Sequence, residues 1–444
     1  MKNPIRKLIP SAAFEGAECN VVNVFDQAAP IGDVFGFGGA FTETSAYNYS
    51  LLPKAEKKRV LRDFFDPKRG MGYGFCRIPM GSCDFALAPY SLSEKKDLSD
   101  FSIAQDRKYI IPMVKDALAV AGDSLFLFAS PWSPPSFMKS NGERLHGGKL
   151  LPKYRKTYAD LFVKFLRAYR DEGIAIRAVT VQNEPKALQT WESCEWTARE
   201  EAEFAVRFLR PALDKAGLKD VKILVWDHNK ERLFERACEA MSVRGADKAI
   251  WGFGYHWYSG THFEAISETI RKFPGRPVFA TENCVMIGDA DNGTGSLAYA
   301  IEYCDNLRHG SGAVCDWNLL VDTQGGPYHD RFKKGDANGL FSMGCGAALI
   351  VDPKKRKASP SGIFGAIAPF ACNFKRGDKL LPTSNCSSDI HSAAALKKDG
   401  SAVLAIVNAG GTEQKLIVRF RGKAACVRLA PRTVAAYSLG SAWK

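Results

Sequence analysis

Eight short apolar runs, separated by helical patterns, limit the possible folds of this chain more than any other feature of its sequence. Runs of this length that are rich in β-branched and aromatic residues are typical of buried strands. Apolar residues spaced by three and four indicate amphipathic helices between them, most clearly over residues 153–172 and again over 200–213. Strands that alternate with helices over roughly 300 residues predict an α/β fold, the (β/α)₈ or TIM barrel. The predicted strands are residues 34–41, 74–80, 125–132, 178–183, 221–227, 250–258, 277–283 and 313–320.

The C-terminal part of the sequence has a different character. From residue 390 onward, helical patterns give way to short strand-like runs with turn signals, which are typical of an antiparallel β-sandwich or a small barrel. The valine-rich run at residues 17–25 could add a strand to it. We therefore expect a β-sandwich formed by both chain ends, with N-terminal strands in residues 1–30, the barrel in 31–375 and the C-terminal part of the sandwich in 376–444. The predicted C-terminal strands are residues 401–408, 414–420, 424–429 and 434–439.

The formal net charge of +13 raises nucleic acid as a possible partner. The densest basic run, residues 354–357, follows a proline and is not interleaved with aromatic residues, so a solvated loop is the better interpretation. No stretch approaches the roughly 18 consecutive apolar residues of a membrane span. We expect neither a nucleic-acid partner nor an integral membrane segment, and the sequence leaves the oligomeric state open.

The N-terminal residues are basic but lack the apolar segment of about 7 to 15 residues that a secretion signal contains. We therefore expect a cytoplasmic protein, or a secreted one if a signal has been removed.

The sequence contains no pattern that predicts a metal or an organic cofactor. The twelve cysteines are scattered without a CxxC pair, and the seven histidines show no HxxxH spacing. The stretch 289–293 has acidic residues spaced as in a calcium loop, but its glycine comes one place early and no glutamate closes it. A GxSxG motif and a Walker loop are absent, and the glycines of residues 36–39 lack dinucleotide-binding spacing. We expect those glycines to let the first barrel strand approach a ligand closely.

Polar and aromatic residues follow most of the predicted strands. In a barrel of this kind the carboxyl ends of the strands carry the active site. Glu184 and Glu282 each close a predicted strand and each lies next to an asparagine, so both should point into one mouth. Paired carboxylates suit glycoside hydrolysis, with retention at a separation of about 5 to 5.5 Å and inversion at about 6.5 to 9.5 Å. The sequence alone leaves these two outcomes open.

Several other residues at or after the predicted strand ends are of types that bind sugars. Trp132 and Trp317 could stack on the apolar faces of a sugar while Asp84 binds its hydroxyl groups. Taken singly, a tryptophan is more often a core residue, but the clustering at strand ends favours a binding site. Arg77 could hold a neighbouring glutamate ionised, and Tyr258 could donate a hydrogen bond to it. His256 fits better as a satisfied core residue.

Seven motifs, in order along the chain, resemble glycoside hydrolase family 30, the glucosylceramidase-like retaining β-glycosidases. They are FGFGGAFTETSA (35–46), RIPMGSCDF (77–85), ASPWSPPSFMKSNG (129–142), TVQNEP (180–185), YHWY (255–258), FATENC (279–284) and DWNLLVDTQGGP (316–327).

The resemblance implies a (β/α)₈ barrel with an attached β-sandwich and no cofactor. It implies Glu184 as general acid/base and Glu282 as nucleophile, with Asn183 beside the sugar 2-hydroxyl. Arg77 and Tyr258 would hold the nucleophile, and the other positions that match the sugar subsite are Asp84, Trp132 and Trp317. The sequence HDRFKKGDANG (329–339) departs from the glucosylceramidase pattern, so the outer subsites do not transfer.

We expect a retaining β-glycosidase acting on β-glucosides or short β-gluco-oligosaccharides at a chain end. Alternatives within the family are a β-1,6-glucanase and a β-xylosidase or β-fucosidase. An alternative of another class is a carbohydrate-binding protein without catalysis, which the presence of both glutamates disfavours.

Overall fold

The computed structural model describes residues 4–11, 20–329 and 344–443. Eight parallel strands form one sheet, and each overlaps one of the predicted runs. The prediction of a TIM barrel is confirmed. The barrel strands are β1 (Gly36–Gly39), β2 (Phe75–Met80), β3 (Phe126–Pro131), β4 (Ile176–Thr180), β5 (Lys222–Asn229), β6 (Gly252–His256), β7 (Val278–Asn283) and β8 (Ala313–Asp316).

The barrel closes between its first two strands. Ala40 pairs with Arg77 in a parallel bridge, and the Phe41 amide donates to the Arg77 carbonyl at 2.8 Å. A Cβ atom added to Gly38 would lie 1.8 Å from the carbonyl oxygen of Phe75. This glycine therefore permits the close approach of β1 and β2, and the prediction that it accommodates a ligand is wrong.

Aromatic rings fill the amino-terminal end of the barrel. The ring of Phe35 packs against those of Phe75, Phe126 and Phe279, with centroids 5.7, 4.9 and 4.8 Å away. Trp251 packs against the same cluster. This packed floor leaves the carboxyl ends of the strands as the end of the barrel where a ligand can enter.

The helices include both predicted ones. Residues 153–172 contain Arg155–Asp171, whose apolar face is buried as its spacing predicts. The second predicted helix, over 200–213, is found at that position but is not one regular α-helix. A wider π turn, Ala205–Leu209, separates Ala198–Phe204 from Arg210–Lys215. Pro211 lacks the amide hydrogen that would bond to the preceding turn, which accounts for the irregularity. The other helices are Glu43–Ser50, Lys54–Phe65, Ile110–Ala121, Leu233–Met241, Ala246–Ala249, Phe263–Lys272, Thr294–Arg308 and Gly362–Ala371.

Two further sheets form the attached sandwich, and both contain strands from each end of the chain. Ile5–Lys7 pairs with Thr433–Leu439, and Val21–Val24 pairs with Gln414–Phe420. These two pairings are parallel, whereas the pairings between the C-terminal strands are antiparallel. One sheet contains Ile5–Lys7, Thr433–Leu439, Ala402–Asn408, Ile390–Leu396, Lys379–Leu381 and Gly32–Asp33; the other contains Thr383–Ser384, Val21–Val24, Gln414–Phe420 and Lys423–Leu429.

Residues 17–19 of the predicted N-terminal strand lie outside the described residues. The domain limits at residues 30 and 375 stay a prediction, and Gly32–Asp33 joins a sandwich sheet just beyond the first of them.

A small sheet after β8 was not predicted. It consists of Leu320–Asp322, Leu349–Asp352 and Lys357–Pro360, and the basic run 354–357 occupies its hairpin turn. The Asp352 carboxylate accepts from the amides of Lys354 and Lys355 at 3.0 Å each, so this run forms an exposed turn. Within the described ranges, no helix is long and apolar enough to cross a membrane.

Candidate active site

A cavity of about 430 Å³ opens at the carboxyl ends of the barrel strands. Seven of the eight site residues predicted from the sequence line it, and the eighth, Arg77, is fully buried directly behind it. The seven are Asp84, Trp132, Asn183, Glu184, Tyr258, Glu282 and Trp317.

Arg77 on β2 connects the ends of four other strands. One terminal nitrogen donates to Glu282 Oε2. The other donates to Asn183 Oδ1 and to Asp227 Oδ2, both at 2.7 Å, and Nε donates to Ser130 Oγ at 2.9 Å. Because the guanidinium is completely buried, these acceptors are what make its charge tolerable there.

Asp227 lies at a bulge in β5 and collects hydrogen bonds from several directions. Its Oδ2 accepts from Thr180 at 2.7 Å and from Ser130 at 2.9 Å, and its Oδ1 accepts from Thr281 at 2.6 Å. Burial opposes ionisation of Asp227, but Arg77 and the hydrogen bonds outweigh this and hold its pKa well below the ordinary value.

The backbone around this bulge is strained. Glu184, Trp226 and Asp227 have φ angles of 46°, 77° and 51°, in the left-handed region that costs a residue with a side chain about 1 to 3 kcal/mol. The Glu184 amide donates to the Asp227 carbonyl at 3.0 Å, so the end of β4 and the bulge of β5 hold each other in place. The pairing of β5 with β6 shifts between Trp226 and His228, and this shift directs Asp227 inward while His228 lines the cavity.

His256 stands between the two glutamates. Its Nδ1 lies 3.1 Å from Glu184 Oε1 and 3.8 Å from Glu282 Oε1, and its Nε2 lies 3.1 Å from Asp227 Oδ1. Burial disfavours the imidazolium, but the surrounding carboxylates raise the pKa of His256 to about 9. These surroundings favour the imidazolium, which can donate from one nitrogen to Glu184 and from the other to Asp227.

The two glutamates have different surroundings. Burial raises the pKa of Glu282, while His256 and Arg77 act against this rise, and the Tyr258 hydroxyl donates to Glu282 Oε1 at 3.0 Å. Burial also raises the pKa of Glu184. The hydrogen bond with His256 and the charges of His228 and His256 have a larger opposite effect and lower this pKa to about 2. The surroundings of Glu184 thus favour its carboxylate form more strongly than those of Glu282 do.

Trp132 and Trp317 form one aromatic wall. Their rings stack with centroids 4.9 Å apart, and the Arg77 guanidinium lies 4.6 Å from the centroid of Trp132. The Trp132 carbonyl accepts from the Gln182 amide at 2.7 Å, and the Trp317 amide donates to the Asn283 carbonyl at 2.8 Å, which fixes both loops.

Asp84 has a buried carboxylate oxygen that can accept a further hydrogen bond. Its Oδ1 is enclosed and has no hydrogen-bond partner among the described residues. Burial, together with the charge of Glu282, raises the pKa of Asp84 well above its ordinary value. A ligand hydroxyl group is the kind of donor that would satisfy this oxygen.

The comparison with known families agrees with this geometry. The family model described as the glycosyl hydrolase family 30 TIM-barrel domain matches residues 34–337. The chain belongs to glycosyl hydrolase family 30. It is an O-glycosyl hydrolase that resembles the glucosylceramidases of this family.

Relatives of this family 30 hydrolase differ in the activity that their names state. It is 32% identical to the lysosomal acid glucosylceramidase of Mus musculus over 410 residues, which covers 87% of this chain and 76% of the relative. It is 26% identical to an endo-1,6-β-D-glucanase of Neurospora crassa over 395 residues, covering 85% and 79%. The crystal structure of SrfJ from Salmonella typhimurium superposes with a TM-score of 0.90 at 29% identity, covering 96% of this chain and 94% of that chain.

Sequence reasoning missed three residues of this family 30 site. His256 was interpreted as a core residue; it is fully buried, but it also contacts both glutamates. Asp227 ends the predicted strand 221–227 and His228 follows it, but the sequence analysis assigns neither a role. The signal was available in the WDHN stretch, since three polar residues in succession at a strand end are unusual for a fully buried strand.

The divergent residues 330–339 lie outside the described residues, while Gly344 and Cys345 beyond them line the cavity.

Replacing Asp227 by Asn should disable the family 30 site and destabilise the fold. The change removes one of the two carboxylates that pair with the buried Arg77, and losing one partner of a buried ion pair costs about 3 to 5 kcal/mol. We expect kcat/KM for an aryl β-glycoside to fall at least about tenfold, and denaturant unfolding to report the loss of stability. Asp220→Asn is the matched control, since its exposed carboxylate lies 3.6 Å from Arg170 and such surface pairs contribute less than about 1 kcal/mol. Wild-type activity and stability in Asp227→Asn would contradict the role assigned to this network.

Proposed function

We propose that the protein is a retaining β-glycosidase that releases glucose from the end of β-glucosides or short β-gluco-oligosaccharides. The observation that carries the proposal is the separation of Glu184 and Glu282. Since His256 Nδ1 lies 3.1 Å from one carboxylate oxygen and 3.8 Å from the other, those oxygens are at most about 7 Å apart. This limit on the facing oxygens is compatible with the about 5 to 5.5 Å between the carboxyl groups of retaining enzymes, and membership of family 30 supports the same outcome.

The contacts of Glu282 suit a nucleophile. Arg77 and Tyr258 each donate a hydrogen bond to a different oxygen of its carboxylate, which favours the ionised form needed to attack the anomeric carbon. In the first step a bond forms between a Glu282 oxygen and that carbon as the bond to the leaving oxygen breaks. In the second step water attacks the same carbon and releases Glu282.

The contacts of Glu184 suit the general acid and base. It has to protonate the leaving oxygen in the first step and deprotonate water in the second. Its carboxylate lies one hydrogen bond of 3.1 Å from His256 Nδ1, a group that can exchange a proton with it. For Glu184 to act as the acid, binding of the glycoside has to weaken its contact with His256 and raise its pKa.

The size and lining of the cavity favour a chain end over the middle of a polymer. A volume of about 430 Å³ is near the lower end of the range for small-molecule sites, about 300 to 1,000 Å³. The unsatisfied Oδ1 of Asp84 would accept from a sugar hydroxyl, and the wall of Trp132 and Trp317 would pack against an apolar sugar face. The similarity to glucosylceramidases favours a β-linked glucose, while the similarity to an endo-1,6-β-D-glucanase makes internal cleavage of β-1,6-glucan the second candidate.

Replacing each glutamate by glutamine tests the assigned roles. Glu282→Gln should lower turnover of every aryl β-glucoside at least about a thousandfold, because the nucleophile acts in both steps. Glu184→Gln should slow glucosides with poor leaving groups by about 10² to 10⁴ and affect bond cleavage in dinitrophenyl glucosides much less, since those need no protonation. Glu235→Gln is the control, because this exposed glutamate pairs with Arg232 and does not line the cavity. Equal losses across leaving groups in Glu184→Gln, or full turnover by Glu282→Gln, would contradict the assignment.

A substrate panel tests the exo-acting β-glucosidase proposal. Nitrophenyl β-glucoside, β-xyloside, β-galactoside and β-fucoside should be compared with gentiobiose, glucosylceramide and β-1,6-glucan. We expect the glucoside to have the highest kcat/KM of the aryl glycosides, and glucose to be the first product from gentiobiose and from the polymer. Rapid shortening of β-1,6-glucan with oligosaccharide products would instead support the endo-acting candidate. Binding of these sugars without any turnover would revive the non-catalytic alternative.

A further inference from the structure

Three side chains at the cavity form a cluster with the composition of a transition-metal site. One donor atom from each of Glu184, His228 and His256 lies within 4.8 Å of the other two. The Nδ1 atoms of His256 and His228 lie 3.1 Å and 3.7 Å from Glu184 Oε1. The sequence shows no metal motif because the two histidines come from neighbouring strands, β5 and β6, where sheet pairing rather than sequence spacing brings them together.

The two imidazoles are oriented as metal ligands usually are. His256 Nε2 lies 3.1 Å from Asp227 Oδ1, which leaves Nδ1 directed at Glu184; a carboxylate behind a ligating histidine is the common outer contact of zinc sites. His228 Nδ1 is enclosed and has no hydrogen-bond partner among the described residues, while its ring packs on Trp226 with centroids 5.1 Å apart. An enclosed nitrogen without a partner is a vacant donor atom for a cation.

The charge of the surroundings also suits a divalent cation. The carboxylates of Glu184, Glu282 and Asp227 face one permanent cation, Arg77, so with neutral histidines, the form that binds a metal, the group carries two net negative charges. Two imidazole nitrogens and one carboxylate oxygen are ligands that Zn²⁺ and similar transition ions prefer, whereas Mg²⁺ and Ca²⁺ prefer oxygen ligands alone.

We propose that Glu184, His228 and His256 bind a Zn²⁺-type divalent ion, and that this ion inhibits the enzyme. Binding attaches Glu184 Oε1 and one nitrogen of each neutral imidazole to the metal. The proposal that the ion binds depends only on the positions of these three side chains. Inhibition rests on the proposed role of Glu184, because a carboxylate bound to the ion cannot protonate the leaving oxygen. The ion is thus a competitor of the catalytic proton and not a cofactor.

Calorimetric titration of the full chain with ZnCl₂ tests the binding step. We expect one cavity site in the wild type, no competition by excess Mg²⁺, and affinity weakened at least about tenfold in His228→Gln. His262→Gln is the matched control, since this exposed histidine lies 3.4 Å from Glu264 away from the cavity, and it should bind Zn²⁺ like the wild type. Unchanged affinity in His228→Gln would overturn the site. So would loss of the site in Cys345→Ser, because the ion would then lie on the thiols of Cys284 and Cys345 that also line the cavity.

Two measurements on the unmodified protein do not depend on how the variants fold. Its Co²⁺ complex should show ligand-field bands of a nitrogen- and oxygen-ligated ion; a thiolate-to-metal charge-transfer band would overturn the site. ZnCl₂ should inhibit hydrolysis of an aryl β-glucoside over the concentrations at which it binds, and EDTA should reverse this. Zinc binding that is weakened in His228→Gln but does not inhibit the wild type would support the site and contradict the acid role of Glu184.

Discussion

The charge of Arg77, buried completely at the mouth of the barrel, is the constraint on which the rest of this site depends. A guanidinium without solvent is tolerated only when anions and oxygen acceptors surround it, and here they come from the ends of β3, β4, β5 and β7. The same contacts place Asn183, Asp227 and Glu282 around one point. The electrostatic requirement of one side chain therefore organises the polar groups of the cavity.

The strained backbone beside this network has a consequence for catalysis. Glu184 and Asp227 both occupy the left-handed region and are joined by a backbone hydrogen bond, so the proposed acid/base residue is held by the same bulge that supplies a counter-ion of Arg77. Groups held in this way need little rearrangement when charge develops in a reaction. The stability lost to strain is offset by burial in a barrel whose other end is filled by aromatic rings.

Much of the fold follows from local pattern, because strand length and helical spacing depend on residues close in the sequence. The eight barrel strands and the helix Arg155–Asp171 were predictable in this way. The closing of β1 on β2 at Gly38 was not, since it depends on the carbonyl of Phe75 far along the chain. The π turn before Pro211 shows how one missing amide hydrogen breaks an otherwise correct helical pattern.

The candidate site was predictable where a residue type at a strand end implies chemistry, as for Glu184 and Glu282. Residues that act through a neighbour were harder to recognise. His256 gains its significance from the three carboxylates around it, and His228 from the bulge that turns it toward the cavity. Neither environment can be inferred from the sequence positions alone, because both depend on strand register.

The central claim is that two carboxylates, whose Oε1 atoms are at most about 7 Å apart, act by double displacement. Proton NMR spectra recorded during the first turnovers of an aryl β-glucoside report which anomer of the sugar leaves the enzyme. Double displacement predicts that β-glucose forms first and that the α-anomer grows in only at the rate of spontaneous mutarotation. α-Glucose as the first product would contradict the account, because it requires a water molecule between the carboxylates and a single displacement.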